Sequence, residues 1–178
     1  MLNIRKIQEQ VIFGAVKAES NDTIAQNIVN GEFEGNPIWV KNTMKRLKDN
    51  FDILTAKKIR MNCQCGYTMD EKYALVKELM VSSTNLEEFA NNEKAKAAGI
   101  SYNDSELYLQ FPFCTCPMLA EVDKLDSNTW CQCTTGYSKV LFENAFGCEV
   151  DIDLLKSVKM GDDICLMKIS PLGTIHFD

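Results

Sequence analysis

Histidine is nearly missing from this chain: His176, third from the end, is the single example in 178 residues. There is also no surplus of positive charge and no long apolar run. Each shortage excludes something. One histidine nearly rules out mixed Cys/His metal coordination, and a histidine-assisted nucleophile would need the tail to fold back. A net charge of -6 and a pI near 4.9 argue against nucleic acid, which demands a cationic footprint. A membrane span takes roughly 18 consecutive apolar residues, and no segment reaches that. Near the start, VIFGAV is flanked by Gln and Lys and is too short for a signal peptide. The expectation is a cytosolic protein with neither nucleic acid nor membrane as partner.

What the chain does have is cysteine. Six of its eight cysteines fall in three Cys-x-Cys pairs, Cys63-Gln64-Cys65, Cys114-Thr115-Cys116 and Cys131-Gln132-Cys133. In a reducing compartment such cysteines are metal ligands or redox thiols more readily than disulfides. The first and third pairs share a continuation: Cys65 leads into Gly66-Tyr67, and Cys133 leads through two threonines into Gly136-Tyr137.

With 46 % apolar and 25 % charged residues the composition is that of a globular protein. The length suits one domain, 1–178, or two tightly packed halves. Residues 1–98 read as mainly helical. Ile4, Ile7, Val11 and Ala15 form one stripe, and Val40, Met44, Leu47 and Phe51 another. A polar, Asn-rich connection separates them, and Lys41, Lys45 and Lys48 lie on a solvated face. Thr68-Met69-Asp70-Glu71 and Thr84-Asn85-Leu86-Glu87 both read as capping boxes, the second opening a helix that runs to Gly99.

Residues 99–178 read as mixed. Leu107, Leu109, Phe111 and Phe113 alternate with polar positions, after a turn at Asn103-Asp104-Ser105. Tyr137, Val140, Leu141 and Ala145 mark a helix closed by Gly147. Cys148, Val150, Ile152 and Leu154 alternate with Glu149, Asp151 and Asp153, and a final strand follows the turn Gly161-Asp162-Asp163. The fold class is α+β: a helical N-terminal half, then an antiparallel sheet with packed helices.

Two cysteines two residues apart diverge by about 200° on a helix, so they share a ligand only on a strand end or turn. The turn signals place all three pairs there. Fourteen residues separate Cys116 from Cys131, near the spacing of a zinc ribbon with each arm shortened by one. The candidate metal ligands are Cys114, Cys116, Cys131 and Cys133, joined by Cys63 and Cys65. All-thiolate donors suit Zn²⁺, or alternatively an iron–sulfur cluster. Helix starts after Gly66 and Thr135 favour the thiolate forms of Cys65 and Cys133. Redox thiols and buried filler remain the other readings of the pairs; Cys148 and Cys165, in strand patterns, read as filler. Trp130, Tyr67 and Tyr137 either line a pocket or belong to the core.

Residues 130–170 resemble the C-terminal part of the 4-vinyl reductase-like domain, a family of small-molecule or hydrocarbon binders. The likeness lies in Gly136-Tyr137, the helix ending at Phe146-Gly147, the strand from Glu149 to Leu154, and Gly161-Asp162-Asp163-Ile164-Cys165. Ser157 stands near the place of a further family cysteine, and Met167 replaces the final aromatic. The chain is similar to a Cys-x-Cys-rich bacterial variant of that domain. The resemblance implies strands and helices around an apolar cavity walled by Tyr137, Leu141, Val150, Ile152 and Ile164.

The expected function is binding of a small apolar or thiol-reactive ligand beside a cysteine-thiolate metal site. The alternatives are a cysteine-dependent hydrolase or reductase, and a structural zinc module for protein contact. The oligomeric state, a homodimer included, is open.

Overall fold

The structure, a computed structural model, describes residues 3–66 and 68–177. Its elements divide into two compact units, each assembled from separated stretches of chain. Unit 1 takes the chain up to Cys65, then Cys114–Gly136 and Lys159–Gly161; unit 2 takes Gly66–Phe113, Tyr137–Val158 and the chain from Asp162 onward. The fold is α+β, helical in its first half with an antiparallel sheet after it.

Unit 1 is built on four helices, α1 (Ile4–Glu19), α2 (Asp22–Val29), α3 (Asn36–Asn50) and α4 (Ile53–Met61). Short polar side chains start three of them. Asn3 and Asn21 each accept a backbone N–H, from Lys6 and Ile24. Asp52 takes those of Leu54 and Thr55 at 2.9 and 3.0 Å, plus the Thr55 hydroxyl at 2.7 Å. These bonds, chiefly from Thr55, hold the Asp52 carboxyl below its ordinary range. α3 instead begins at Gly35, with Pro37 in its first turn, where a missing N–H costs nothing.

The α1 stripe turns out to be set one residue further on than the sequence pattern implies. Ile4, Ile7 and Val11 are half-buried, while Gln8, Ile12, Ala15 and Val16 face the core. In α3 the stripe holds at Val40 and Leu47, and Trp39 joins it. Lys41, Lys45 and Lys48 are exposed as expected. The Asn-rich stretch is no plain connection, because Asn21 caps a short helix that buries Ala25 and Ile28.

Unit 2 carries α5 (Met69–Val81), α6 (Leu86–Asn91) and α7 (Glu93–Ala97). Its four strands are β1 (Ile100–Asn103), β2 (Glu106–Phe111), β3 (Val150–Lys156) and β4 (Cys165–Pro171), in the antiparallel order β1-β2-β4-β3. The β1–β2 hairpin turns through Asp104 and Ser105, both at positive φ, 51° and 65°. That conformation matches the twist of paired strands. α8 (Gln132–Phe146) begins in unit 1 and continues in unit 2 from Tyr137. Its Leu141, Phe142, Ala145 and Phe146 pack on the inner sheet face of Leu107, Leu109, Val150, Ile152, Met167 and Ile169.

Three local expectations are corrected. Thr68 does not cap α5: its backbone is left-handed (φ 57°), and its side chain makes no capping bond. A cap needs an extended backbone there. The second box is displaced by one residue, with Asn85 capping Glu88 N–H while the Glu88 carboxylate accepts from Thr84. The helix it opens stops at Asn91 and restarts behind Asn92, short of Gly99. Phe113 lies beyond β2 and is 64 % exposed, so the buried alternation ends at Leu109.

Candidate functional site

The three Cys-x-Cys pairs, far apart in sequence, all belong to unit 1. Two helix ends and one short 3-10 turn position them. Cys63 follows α4, where its N–H closes on the Arg60 carbonyl at 3.1 Å. Cys114 and Cys116 precede the 3-10 turn Pro117–Leu119, anchored by buried Met118 and Leu119. Cys131 and Cys133 bracket the first residue of α8, with Cys133 inside the helix. The expectation of turns and strand ends for every pair therefore fails at Cys133. The physical reason is a run of closing turns, Cys131 to Asn128, Gln132 to Thr129 and Thr134 to Cys131, that winds the chain into the helix.

One tight approach fixes α8 against α4. A Cβ on Gly136 would fall inside the contact radius of the Met61 carbonyl oxygen, so only glycine fits this crossing.

At the centre of unit 1 lies a residue that sequence reasoning missed. Arg60 is fully buried, on the same α4 face as Ala56 and Ile59. Its Nη2 donates to the Trp130 carbonyl at 2.9 Å, and its Nη1 to Gln8 Oε1 at 3.4 Å. The guanidinium carbon sits over the Trp130 ring, 4.2 Å from its centroid. Trp130 in turn meets Trp39 edge to face at 5.8 Å, and Arg5 covers Trp39 at 4.0 Å. The two arginines differ in one respect. Arg5 is paired with Glu9 at 2.6 Å, whereas among the described residues no carboxylate pairs with Arg60, whose Nε has no hydrogen-bond partner. A buried charge is ordinarily paired, so this imbalance needs an answer. The signal for it was present: Arg60 occupies the i+4 place of the stripe Ala56, Ile59, Arg60, three residues before a cysteine.

The thiols gather near it. Cys63 is fully buried in the unit 1 core, and its Sγ–H donates to the Ile59 carbonyl at 3.0 Å. Cys114, Cys116, Cys131 and Cys133 are half-buried and packed against the same core, while Cys65 is exposed. Burial pushes the Cys63 thiol up, with Arg60 pulling the other way. Cys133 is pushed up to about 12, first by burial and then by Cys116, Cys131 and Cys63, with Arg60 again opposing. The helix start at Cys133 does not lower it, because desolvation outweighs a terminal dipole. Arg60 and the thiols of Cys63, Cys116 and Cys131 thus all act on the Cys133 thiol, and Arg60 acts on Cys63 as well. Among the described residues no three His, Cys, Asp or Glu side chains stand ready to close on one ion. Loading a metal with three or more donors would require thiol side chains to turn.

The other expected site residues are dispersed. Trp130 belongs to the unit 1 core, 1 % exposed, beneath Arg60. Leu141, Val150 and Ile152 belong to the unit 2 core, with Tyr137 packed against it and Lys72 over its ring at 5.0 Å. Ile164 is half-buried just before β4, and Tyr67 lies outside the described residues. Cys148 packs on the unit 2 core, and Cys165 is half-buried in β4 opposite Phe111. Among the described residues no helix is long and apolar enough to cross a membrane.

Fold and site together define an α+β protein with a cysteine-rich helical unit. Over residues 1–176 the chain matches the model of a family of unknown function, DUF6144, and it belongs to that family. No curated protein matches it.

Proposed function

We propose that unit 1 holds a thiophilic metal ion on cysteines of its Cys-x-Cys pairs, chiefly Cys63, Cys116, Cys131 and Cys133. What carries the reading is Arg60, a fully buried guanidinium with no carboxylate partner among the described residues, beside the thiols of Cys63 and Cys133 in a core against which Cys116 and Cys131 also pack. A metal displaces thiol protons and leaves thiolates, which supply the negative charge the guanidinium lacks. Zn²⁺ and iron–sulfur clusters both accept thiolate-only donors. The apolar-ligand part of the reading rests on Tyr137, Leu141, Val150, Ile152 and Ile164 and carries no comparable observation. The rival, a cysteine hydrolase or reductase, needs an activated thiolate. The high value at Cys133 is the reverse of that.

The test is metal analysis of protein purified anaerobically without chelator or nickel resin. A stoichiometric thiophilic metal, lost with release of reactive thiols on chelation, is expected. Metal-free protein that also fails to take up Zn²⁺, Cd²⁺ or Cu(I) would overturn the proposal.

A further inference from the structure

In unit 2 one sheet edge is under cover. β3 (Val150–Lys156) is the last strand in the order β1-β2-β4-β3, so β4 pairs with only one of its sides. Such an edge offers unpaired N–H and C=O groups to any other extended chain. The phase of the ladder tells which residues turn that way. The Leu172 N–H donates to the Glu149 carbonyl at 2.8 Å, and the register sets Val150 against Pro171, Asp151 against Ser170 and Ile152 against Ile169. Antiparallel bonds alternate, so Asp151 and Asp153 bond to β4, while Val150, Ile152 and Leu154 turn their backbone groups to the open side. Pro171, which has no N–H to give, stands opposite Val150, a position that asks for none.

Side chains occupy that open side. From α8, the Glu143 carboxylate accepts the Val150 N–H at 3.2 Å, and Lys139 Nζ donates to the Val150 carbonyl. The two side chains are themselves an ion pair at 2.7 Å, four residues apart on the helix. A carboxylate and an ammonium thus stand in for the carbonyl and N–H of a neighbouring strand. Two residues on, the Asp151 carboxylate takes the Ile152 N–H at 3.0 Å. The outer face adds a second obstacle, because Asp151 and Asp153 are both exposed there. If β3 met the β3 of a second copy in the antiparallel register centred on Ile152, Asp151 of each copy would face Asp153 of the other. Like charges directly opposite destabilise a strand pair. Lys168, beside Asp153 on β4, is already bonded to Glu106.

We propose that the Lys139–Glu143 pair is a guard that closes the β3 edge against a second copy of this chain, with Asp151 and Asp153 as its reinforcement. The occupant it excludes is an identical strand, since every copy carries the same seven-residue edge. With the pair removed and the carboxylates neutralised, two chains join antiparallel through Val150, Ile152 and Leu154. The cysteines of unit 1 play no part in this, because every group named here belongs to unit 2.

The experiment is residue-resolved amide exchange of the full chain at several protein concentrations, with sedimentation run alongside. In the parent, the Val150 amide is protected and its exchange does not depend on concentration. Lys139→Met with Glu143→Met, both good helix formers, accelerates that amide by about 2–10-fold, the usual net worth of one hydrogen bond. Adding Asp151→Asn and Asp153→Asn makes the Val150, Ile152 and Leu154 amides regain protection as concentration rises, together with a dimer in sedimentation. Asp151→Asn and Asp153→Asn with the pair intact behave as the parent does. A parent Val150 amide that exchanges as a free one would overturn the proposal, and that measurement needs no substitution. Unchanged exchange in the Met variants would also overturn it, as would a fourfold variant that folds yet shows no concentration-dependent protection. Strand pairing in the Asn variant that keeps Lys139 and Glu143 would show that the pair guards nothing.

Discussion

Arg60 shows why a single residue can govern the interpretation of a site. On sequence alone an arginine is assigned to solvent, and only its place on the apolar face of α4 marks it as buried. Gly136 is the second decisive residue, because its hydrogen lets the backbones of α4 and α8 touch. Gly136→Ala is therefore expected to destabilise by about 1–3 kcal/mol or more, as overpacking does. Denaturant melts of the variant measure it, and an unchanged midpoint would mean that the crossing yields easily. The cysteines differ among themselves in the same residue-level way. Cys131→Ser should lower stability in the metal-loaded protein and lose that effect in chelator. Cys148→Ser, on the unit 2 core, should cost about 1–3 kcal/mol with or without chelator, through a poorly satisfied hydroxyl. Thermal melts of both, each with and without chelator, separate the roles; chelator-independent effects in both would count against metal at Cys131.

At the scale of elements, most of the fold was readable in the pattern. Period-2 alternation located β2 and β3 because one face of each packs on helices, leaving Asp151 and Asp153 outside. The misreadings have identifiable causes. α2 is short, and its polar residues hid the Ala25 and Ile28 pair. Thr68 carries the letters of a cap but not the backbone, which sequence cannot display. The loop after Cys116 shows no apolar period in its sequence, yet Met118, Leu119, Val122 and Leu125 are buried at irregular spacings.

The sheet offers an electrostatic test. Glu106 on β2 accepts from Lys168 on β4 and from the Tyr108 hydroxyl at 2.6 Å. The bond from Lys168, with that of Tyr108 next, holds the Glu106 carboxyl below its ordinary value. Its stabilisation is complete above the unfolded pKa of about 4.3 and disappears as pH falls through the lower folded value. Lys168 is raised, chiefly by its bond to Glu106, so its share is present below about 10.4 and lost as pH climbs through the folded value. Glu106→Gln should thus lower the melting temperature at neutral pH by a small, salt-sensitive amount and converge with the parent in acid. A constant difference from pH 3 to pH 8 would remove the carboxylate from the account. The hairpin gives a simpler prediction: Ser105→Gly relieves an L-residue held at φ 65° and should stabilise by roughly 0.5–1 kcal/mol, read from denaturant midpoints.

For the whole molecule, the chain alternates between its two units, and the three cysteine pairs return to the same one. Sequence spacing suggested a couple between the second and third pairs, because their loop is short. Cys63 stood among the candidates without a reason from spacing; its place in the unit 1 core just after α4, beside a buried charge, comes from packing. Metal removal should consequently act on unit 1: hydrogen exchange is expected to accelerate at Asn62–Cys65 and Cys131–Gly136, with the β-sheet amides of unit 2 unchanged. Uniform acceleration across both units would instead indicate global destabilisation.

The central claim is that the Cys-x-Cys pairs form one metal centre beside Arg60. Native mass spectrometry of the anaerobically purified chain tests it most directly, comparing the parent with Cys133→Ser and with Cys165→Ser. The account predicts a bound thiophilic metal in the parent and in Cys165→Ser, and its loss in Cys133→Ser. Metal retained equally in all three proteins, or absent from all three after loading with Zn²⁺, Cd²⁺ and Cu(I), would contradict it.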